Sequence, residues 1–428
     1  MRILLDKINN IKELPRNIRL IFLVVLLNNI AKGMFMTLYN LYLQEVGFSA
    51  SFMGELISMT ALASALFLVP VGFLSDKIGR KKTMIFGIIF ADIFQVLRAI
   101  LLNSSALLTF SFLLGGLNAF FMVANAPFLI ENTDKTIRMK VFSINFALML
   151  FSSMMGNIIG GVLPDLLLNV FSFTMADAQR TTLIFSAGLS ILALIPLSRV
   201  KEMPKQKRKI ESGVLQSLKN RKHSLLIGKF LFANVLVGFG AGLFVPFSNL
   251  YFENQFHLPT STIGMIMSLG QATTVIAIML GPYLSRRFGR VKTVFFLQIL
   301  SVPFMLVLGD TRILSLAVFA FLIRQAIMNA SNPITSAVML EEVPENLKGL
   351  TNSLNQMVFQ LGWTVCGRLS GIIIDQHGYD LIFYLAGGLY ALSAVYYYFA
   401  FKHIDRRDQL IDGKEHFDGT QKVKAKPA

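Results

Sequence analysis

The chain has 428 residues, of which 54% are hydrophobic and 15% charged, with a mean hydropathy of +0.60 and a formal net charge of +16. Water-soluble domains carry about 25% charged residues, so the composition excludes a soluble globular protein and points to a lipid bilayer. The single cysteine, Cys366, excludes an intrachain disulfide.

Apolar stretches of about 20 residues, each long enough to cross a hydrocarbon core of about 30 Å, recur along the chain. They lie at 19–43, 52–74, 83–102, 106–130, 141–166, 181–198, 225–252, 262–284, 293–309, 313–340, 350–374 and 379–401. A backbone in lipid must satisfy its own hydrogen bonds, so all twelve are predicted helices. The first is too long for a signal-peptide core and eleven more follow, so no cleaved leader is expected. Residues 1–17 form an N-terminal segment, and 18–198 and 225–401 form two bundles of six helices. Between them, 199–224 (RVKEMPKQKRKIESGVLQSLKNRKHS) holds nine Lys or Arg against two Glu and reads as a solvated linker. Ile210, Val214, Leu215 and Leu218 in this linker share one helical face, which suits a surface-lying amphipathic helix. The mixed-charge tail 402–428 reads as disordered.

The net positive charge alone would suit a nucleic-acid ligand, but its distribution does not. Of 40 Lys and Arg, 34 fall in the termini and one set of alternate loops, and only Arg180 and Arg312 fall in the opposite loops. Four sit within helices away from the ends beside those loops: Lys32, Arg98, Arg324 and Arg368; Arg19 and Lys229, at such ends of the first and seventh spans, are counted with the loops. This asymmetry is the positive-inside pattern of a multi-pass protein of the cell membrane with both termini cytoplasmic. All five His lie in loops or near the termini, which leaves no His-based proton relay within the membrane.

The chain repeats itself at an offset of 210 residues. Gly54, Ser58, Ser75, Gly79, Arg80, Lys82 and Thr83 fall on Gly264, Ser268, Ser285, Gly289, Arg290, Lys292 and Thr293. Glu131, Ser143, Asn145, Gly161 and Asp165 fall on Glu341, Ser353, Asn355, Gly371 and Asp375. The expected fold is therefore an all-α membrane protein of twelve helices in two pseudo-symmetric six-helix bundles, an arrangement typical of secondary transporters.

Gly72 to Lys82 reads GFLSDKIGRKK and resembles the major facilitator superfamily signature G-x-L-[SA]-D-[RK]-x-G-R-[RK]. Its repeat, Pro282 to Lys292, reads PYLSRRFGRVK, with Pro282 in place of Gly72 and Arg286 in place of Asp76. The resemblance covers residues 18–401. It implies a twelve-helix transporter working by alternating access, as a monomer, on a small solute with protons as a partner. It implies no cofactor, no metal and no enzymatic activity. Gly79 and Gly289 suit tight turns, while Asp76, Arg80 and Arg290 can form ion pairs with neighbouring helix ends. Glu131 and Arg138 recur as Glu341 and Lys348, and the resemblance casts all of these groups as a gate that closes the cytoplasmic side. Gly156 to Gly161, GNIIGG, resembles the antiporter motif G-P-x-x-G-G with Asn157 where Pro is expected. Small residues such as Gly156, Gly160 and Gly161 allow close helix packing.

Charges inside the spans are not duplicated: Lys32 falls on Gly242, Asp92 on Val302, Arg324 on Leu114 and Arg368 on Ile158. An ionised side chain at mid-bilayer costs about 2.5–3.5 kcal/mol on insertion scales, so such groups face a cavity or a partner. The resemblance places helices 1, 10 and 11 around the central cavity and helix 3, with Asp92 and Arg98, at the periphery. Lys32, Arg324 and Arg368 are thus candidate substrate contacts, joined by Asn28, Tyr39, Asn118, Asn125, Gln271, Gln356 and Gln360. Asp92 and Glu131 are candidate coupling groups.

With no Asp or Glu at mid-depth in helices 1, 2, 4, 5, 7, 8, 10 or 11, a net positive site is expected, suited to an anionic or neutral amphipathic molecule exported in exchange for protons. Two alternatives stay open. One is an uptake symporter for an organic acid, phosphorylated metabolite or sugar; the other is a multidrug cation exporter or lipid flippase. The absence of G-x-x-x-x-G-K-[ST] argues against an ATP-driven pump.

Overall fold

The computed structural model describes residues 14–202 and 220–424. Among these, twelve helices are long and apolar enough to cross a membrane. They are α1 (Arg16–Glu45), α2 (Ala50–Ile78), α3 (Arg80–Ile100), α4 (Ser104–Glu131), α5 (Lys135–Phe171), α6 (Met175–Ser198), α7 (Arg221–Phe256), α8 (Thr260–Phe288), α9 (Arg290–Asp310), α10 (Leu314–Glu342), α11 (Glu345–His377) and α12. Each corresponds to one predicted span. α12 runs Asp380–Lys424, so its backbone stays helical past Phe401, where the charge mixture suggested an unstructured tail. The amphipathic helix suggested around Ile210–Leu218 lies outside the described residues.

Helix boundaries follow local chemistry. Ser49, Asn103, Thr174 and Asn220 each accept a hydrogen bond from a first-turn amide, satisfying donors that a helix start leaves orphaned. The tight α2–α3 and α8–α9 turns need Gly79 and Gly289, whose φ values of +101° and +91° lie in the region that L side chains avoid. In α7, Pro246 removes a backbone donor and a short 3-10 turn at Val245–Phe247 interrupts the helix.

Within the first half α1 packs on α5 and α6, and α4 on α2 and α3; in the second, α7 packs equivalently on α11 and α12, and α10 on α8 and α9. The halves meet chiefly along α2–α11 and α5–α8. Between described residues, every hydrogen bond and ion pair joining the halves lies toward the face opposite the termini. Asn40 donates to Pro246 O at 2.6 Å and Asn249 to Thr37 O at 2.8 Å. Gln44 meets Glu253 and Asn254. The repeated carboxylates reappear here: Asp375 accepts from the amides of Ala50 and Ser51, and Asp165 from that of Ser261. Each carboxylate therefore caps the first turn of a helix in the other half, where amides and helix dipole both favour an anion.

The glycines of GNIIGG do what small residues allow. A Cβ on Gly156 would lie 2.2 Å from Ile30 O and one on Gly160 2.7 Å from Met34 Cα, so both let α5 touch α1. A Cβ on Gly161 would lie 2.7 Å from Thr260 O and 2.9 Å from Gly264 Cα, so this residue sits on the seam between halves.

Candidate functional site

A cavity of about 530 Å³ is set mainly into the first half. Its wall comes mainly from α1, α2, α3 and α4, with Met149 from α5, Ser190 from α6, and Pro246, Gln360 and Trp363 supplied by the second half. Lys32 projects into it from α1, half-buried, 5.5 Å from the Phe121 ring centroid, with no hydrogen bond or ion pair to a described residue. Asp92 and Arg98 line the same cavity from α3 and are 4% exposed each. Asp92 lies within electrostatic reach of Lys32 and of the Ser190 hydroxyl, and its Oδ2 has no partner. Arg98 Nε donates to Tyr39 Oη at 3.1 Å, and its guanidinium lies 4.1 Å from the Tyr39 centroid and 5.4 Å from that of Phe35. The Phe35 and Tyr39 rings stack at 4.6 Å, so one face of the cavity is an aromatic plate carrying a cation.

Several expected residues gather here. Asn28, Tyr39, Asn118, Asn125 and Gln360 all line the cavity, and Asn28 donates to Ser190 Oγ at 3.1 Å. The Oδ1 atoms of Asn28 and Asn125 and the Nε1 of Trp363 are buried without partners, leaving polar valence for a bound molecule.

Others do not. Gln271 and Gln356 are absent from the cavity wall. Arg324 is 2% exposed and absent from it too: Nη2 donates to Tyr390 Oη, Nη1 to Gln325, and the guanidinium lies 5.2 and 5.3 Å from the Phe244 and Tyr390 centroids. An aromatic pocket within the second half, supplied by α7 and α12, holds it away from the cavity. Arg324→Ala should consequently cost stability, by about 1.5–3 kcal/mol for a lost hydrogen bond to a charged group, and leave substrate affinity unchanged. Thermal unfolding in detergent beside ligand titration checks this; weakened binding without lost stability would contradict it. Arg368 stands on the seam, where it pairs with Glu55 at 3.3 Å.

Placing α3 at the periphery is also corrected. Ile88, Ala91, Asp92, Gln95 and Arg98 form the buried face of α3, and Gly87 lets that helix approach α4, since a Cβ there would meet Phe120 Cβ at 2.7 Å. The recurrence of Asp92, Gln95 and Arg98 at three-residue steps on an inward face was the signal in the sequence. It brings an acid into the site, so the cavity holds two cations and one anion rather than cations alone.

Between described residues, the gate residues pair within their own half. Arg80 bonds Asp76 and Ser75 and meets Glu131 at 3.2 Å. Arg290 bonds Glu341 in the equivalent position. Both pairs exist while the halves are joined at the opposite face, so neither is by itself a bolt across the terminal face. Arg138 instead donates to Ile130 O and Thr133 O, and Lys348 pairs with Glu345 rather than Glu341. A Cβ on Gly72 would meet only Val123 at 3.8 Å, so this position carries no packing demand.

The family model of the Major Facilitator Superfamily matches residues 21–235 and 230–425, which together take in both halves. The chain belongs to the Major Facilitator Superfamily. Like other members it is a multi-pass membrane transporter. It is 24% identical over 408 residues to multidrug resistance protein MdtG of Proteus mirabilis, covering 92% of this chain and 97% of that one. To the MdtG of Yersinia enterocolitica it is 25% identical, over 90% of this chain and 92% of that one. Among solved structures, a bacterial homologue of the human lysosomal transporter Spinster, inward-facing and unoccupied, superposes with a TM-score of 0.76 at 15% identity, over 90% and 97% of the two chains. The D-xylose–proton symporter gives 0.70 at 15% identity, over 89% and 97%. At such identities the superpositions bear on the fold of this superfamily member and not on its cargo.

Proposed function

We propose that this transporter exports anionic or neutral amphipathic organic molecules in exchange for protons, using the cavity in its first half. The observation that carries the reading is the content of that cavity: an apolar wall holding Lys32, Arg98 and Asp92, with Lys32 unpaired. Two cations against one acid give a positive potential, which low-dielectric walls amplify for an anion and turn against a cation. The apolar and aromatic wall suits the body of an amphiphile. Asp92 is the cavity's acid and is assigned the exchanged proton. Export is favoured by the relatives named as multidrug resistance proteins. With the basic loops cytoplasmic, the joined face looks outward and the halves are arranged for access from inside.

Lys32→Ala should weaken binding of an amphipathic carboxylate by about ten- to hundred-fold, the worth of a hydrogen bond to a charged group. It should not weaken binding of a neutral analogue of the same body. Fluorescence or calorimetric titration of the purified protein decides this, and equal losses for acid and neutral analogue would remove the electrostatic assignment.

A further inference from the structure

The two turns that repeat at an offset of 210 residues differ at a position the transport reading leaves unused. In the first turn Asp76 neutralises Arg80. In the second, Arg286 takes the place of that acid, so exposed Arg286, Arg287 and Lys292 crowd around Gly289. The nearby acids are engaged elsewhere. Glu341 bonds Arg290, and Glu342 pairs with Arg407. Asp405 accepts from the backbone amides of Val291 and Lys292, both at 2.9 Å.

Beside this basic turn runs a groove of about 520 Å³ lined by Arg287, Phe288, Lys292, Phe295, Phe296 and Tyr398. Phe296 is 54% exposed and Phe288 45%, large apolar surfaces at the ends of two membrane spans. The groove therefore has cations where a bilayer's headgroups begin and aromatic rings where its hydrocarbon begins. That pairing of charge with apolar surface across one short depth complements an anionic amphiphile of the bilayer rather than a soluble anion.

We infer that this groove binds an anionic phospholipid of the leaflet facing the termini. Its phosphate lies between Arg287 and Lys292, and an acyl chain lies along Phe295, Phe296 and Tyr398. The inference is independent of the cargo in the cavity. In the first turn Asp76 offsets one cation, which sets that turn apart from the second.

Delipidated full-length protein in detergent, titrated with phosphatidylglycerol or phosphatidylcholine and read by native mass spectrometry, tests this. One phosphatidylglycerol should bind tightly and phosphatidylcholine should not. Each juxtamembrane cation contributes about five-fold to affinity for anionic lipid, so R287A/K292A should weaken phosphatidylglycerol binding by about 25-fold. The double variant K77A/K82A, at the equivalent positions of the first turn, should not. Equal binding of both lipids, or equal losses in both double variants, overturns the site. Should R287A/K292A fail to fold, Phe296→Trp in the otherwise unchanged chain reports instead. Brominated phosphatidylglycerol must then quench the new indole more strongly than brominated phosphatidylcholine, and equal quenching overturns the site.

Discussion

Asp92→Asn is expected to remove transport driven by a proton gradient while leaving substrate binding intact. Asp92 is the acid of the cavity, buried on the inward face of α3 and within electrostatic reach of Lys32. A carboxyl there can take up a proton from one side and release it to the other; an amide of the same shape cannot. The sign of the binding effect follows from charge. Neutralising Asp92 raises the net charge of the Lys32–Arg98–Asp92 set by one, so an anion should bind no more weakly than before. The variant should thus retain downhill exchange of labelled for unlabelled substrate and lose uphill accumulation. Counterflow and gradient-driven uptake, measured on the same reconstituted vesicles, separate the two. If gradient-driven transport survives in Asp92→Asn, the coupling proton is carried elsewhere.

Gly161→Leu is the second substitution with a large expected effect, and it acts on the seam rather than on the cavity. Any side chain there must displace the Thr260 carbonyl or Gly264, both backbone atoms of α8 that cannot turn aside. Overpacking of this kind costs about 1–3 kcal/mol, which here falls only on the conformation with the opposite face joined. The populations should shift away from that conformation by about ten-fold or more, and turnover should fall with them. Gly160, one residue earlier, packs on Met34 of the same half, so Gly160→Leu should lower stability instead. A cysteine placed at Ser51, whose amide is held by Asp375 across the seam, reports the state of the joined face. Cys366 is buried and gives little background. Faster labelling of that cysteine in Gly161→Leu is expected; unchanged labelling with unchanged transport would show that the seam tolerates the bulk.

Much of the architecture was legible because the bilayer constrains it so tightly. The twelve apolar runs follow from physics acting on local sequence, and each has its counterpart in the helices α1 to α12. The site was legible only in part. Lys32, Asn28 and Tyr39 share a face of α1, and one helix wheel suffices to group them. Arg324 also looked like a cavity cation, because non-duplication marks a half-specific role without saying which. Its partner Tyr390 lies 66 residues away on α12, and no spacing within α10 reveals an aromatic cage built by other helices. Arg98 was missed, and Asp92 was singled out for coupling but placed away from the cavity, for the converse reason. A general expectation about helix 3 outweighed the plain observation that Asp92, Gln95 and Arg98 share the helical face of Gly87 and Ile88. The recurrence of Glu131 as Glu341 was legible, yet the pairing of these acids with Arg80 and Arg290 within each half could be seen only once the seam was located.

Lys32, Arg98 and Asp92 are proposed to make a site for anionic or neutral amphiphiles whose movement is tied to protons. Proteoliposomes carrying the wild type, Lys32→Ala and Asp92→Asn, challenged under an imposed proton gradient with an amphipathic carboxylate and with ethidium, test it directly. Gradient-driven movement of the carboxylate by the wild type is expected, weakened by Lys32→Ala and uncoupled by Asp92→Asn, with ethidium a poor substrate throughout. Robust gradient-driven ethidium transport, unaffected by either substitution, would contradict it.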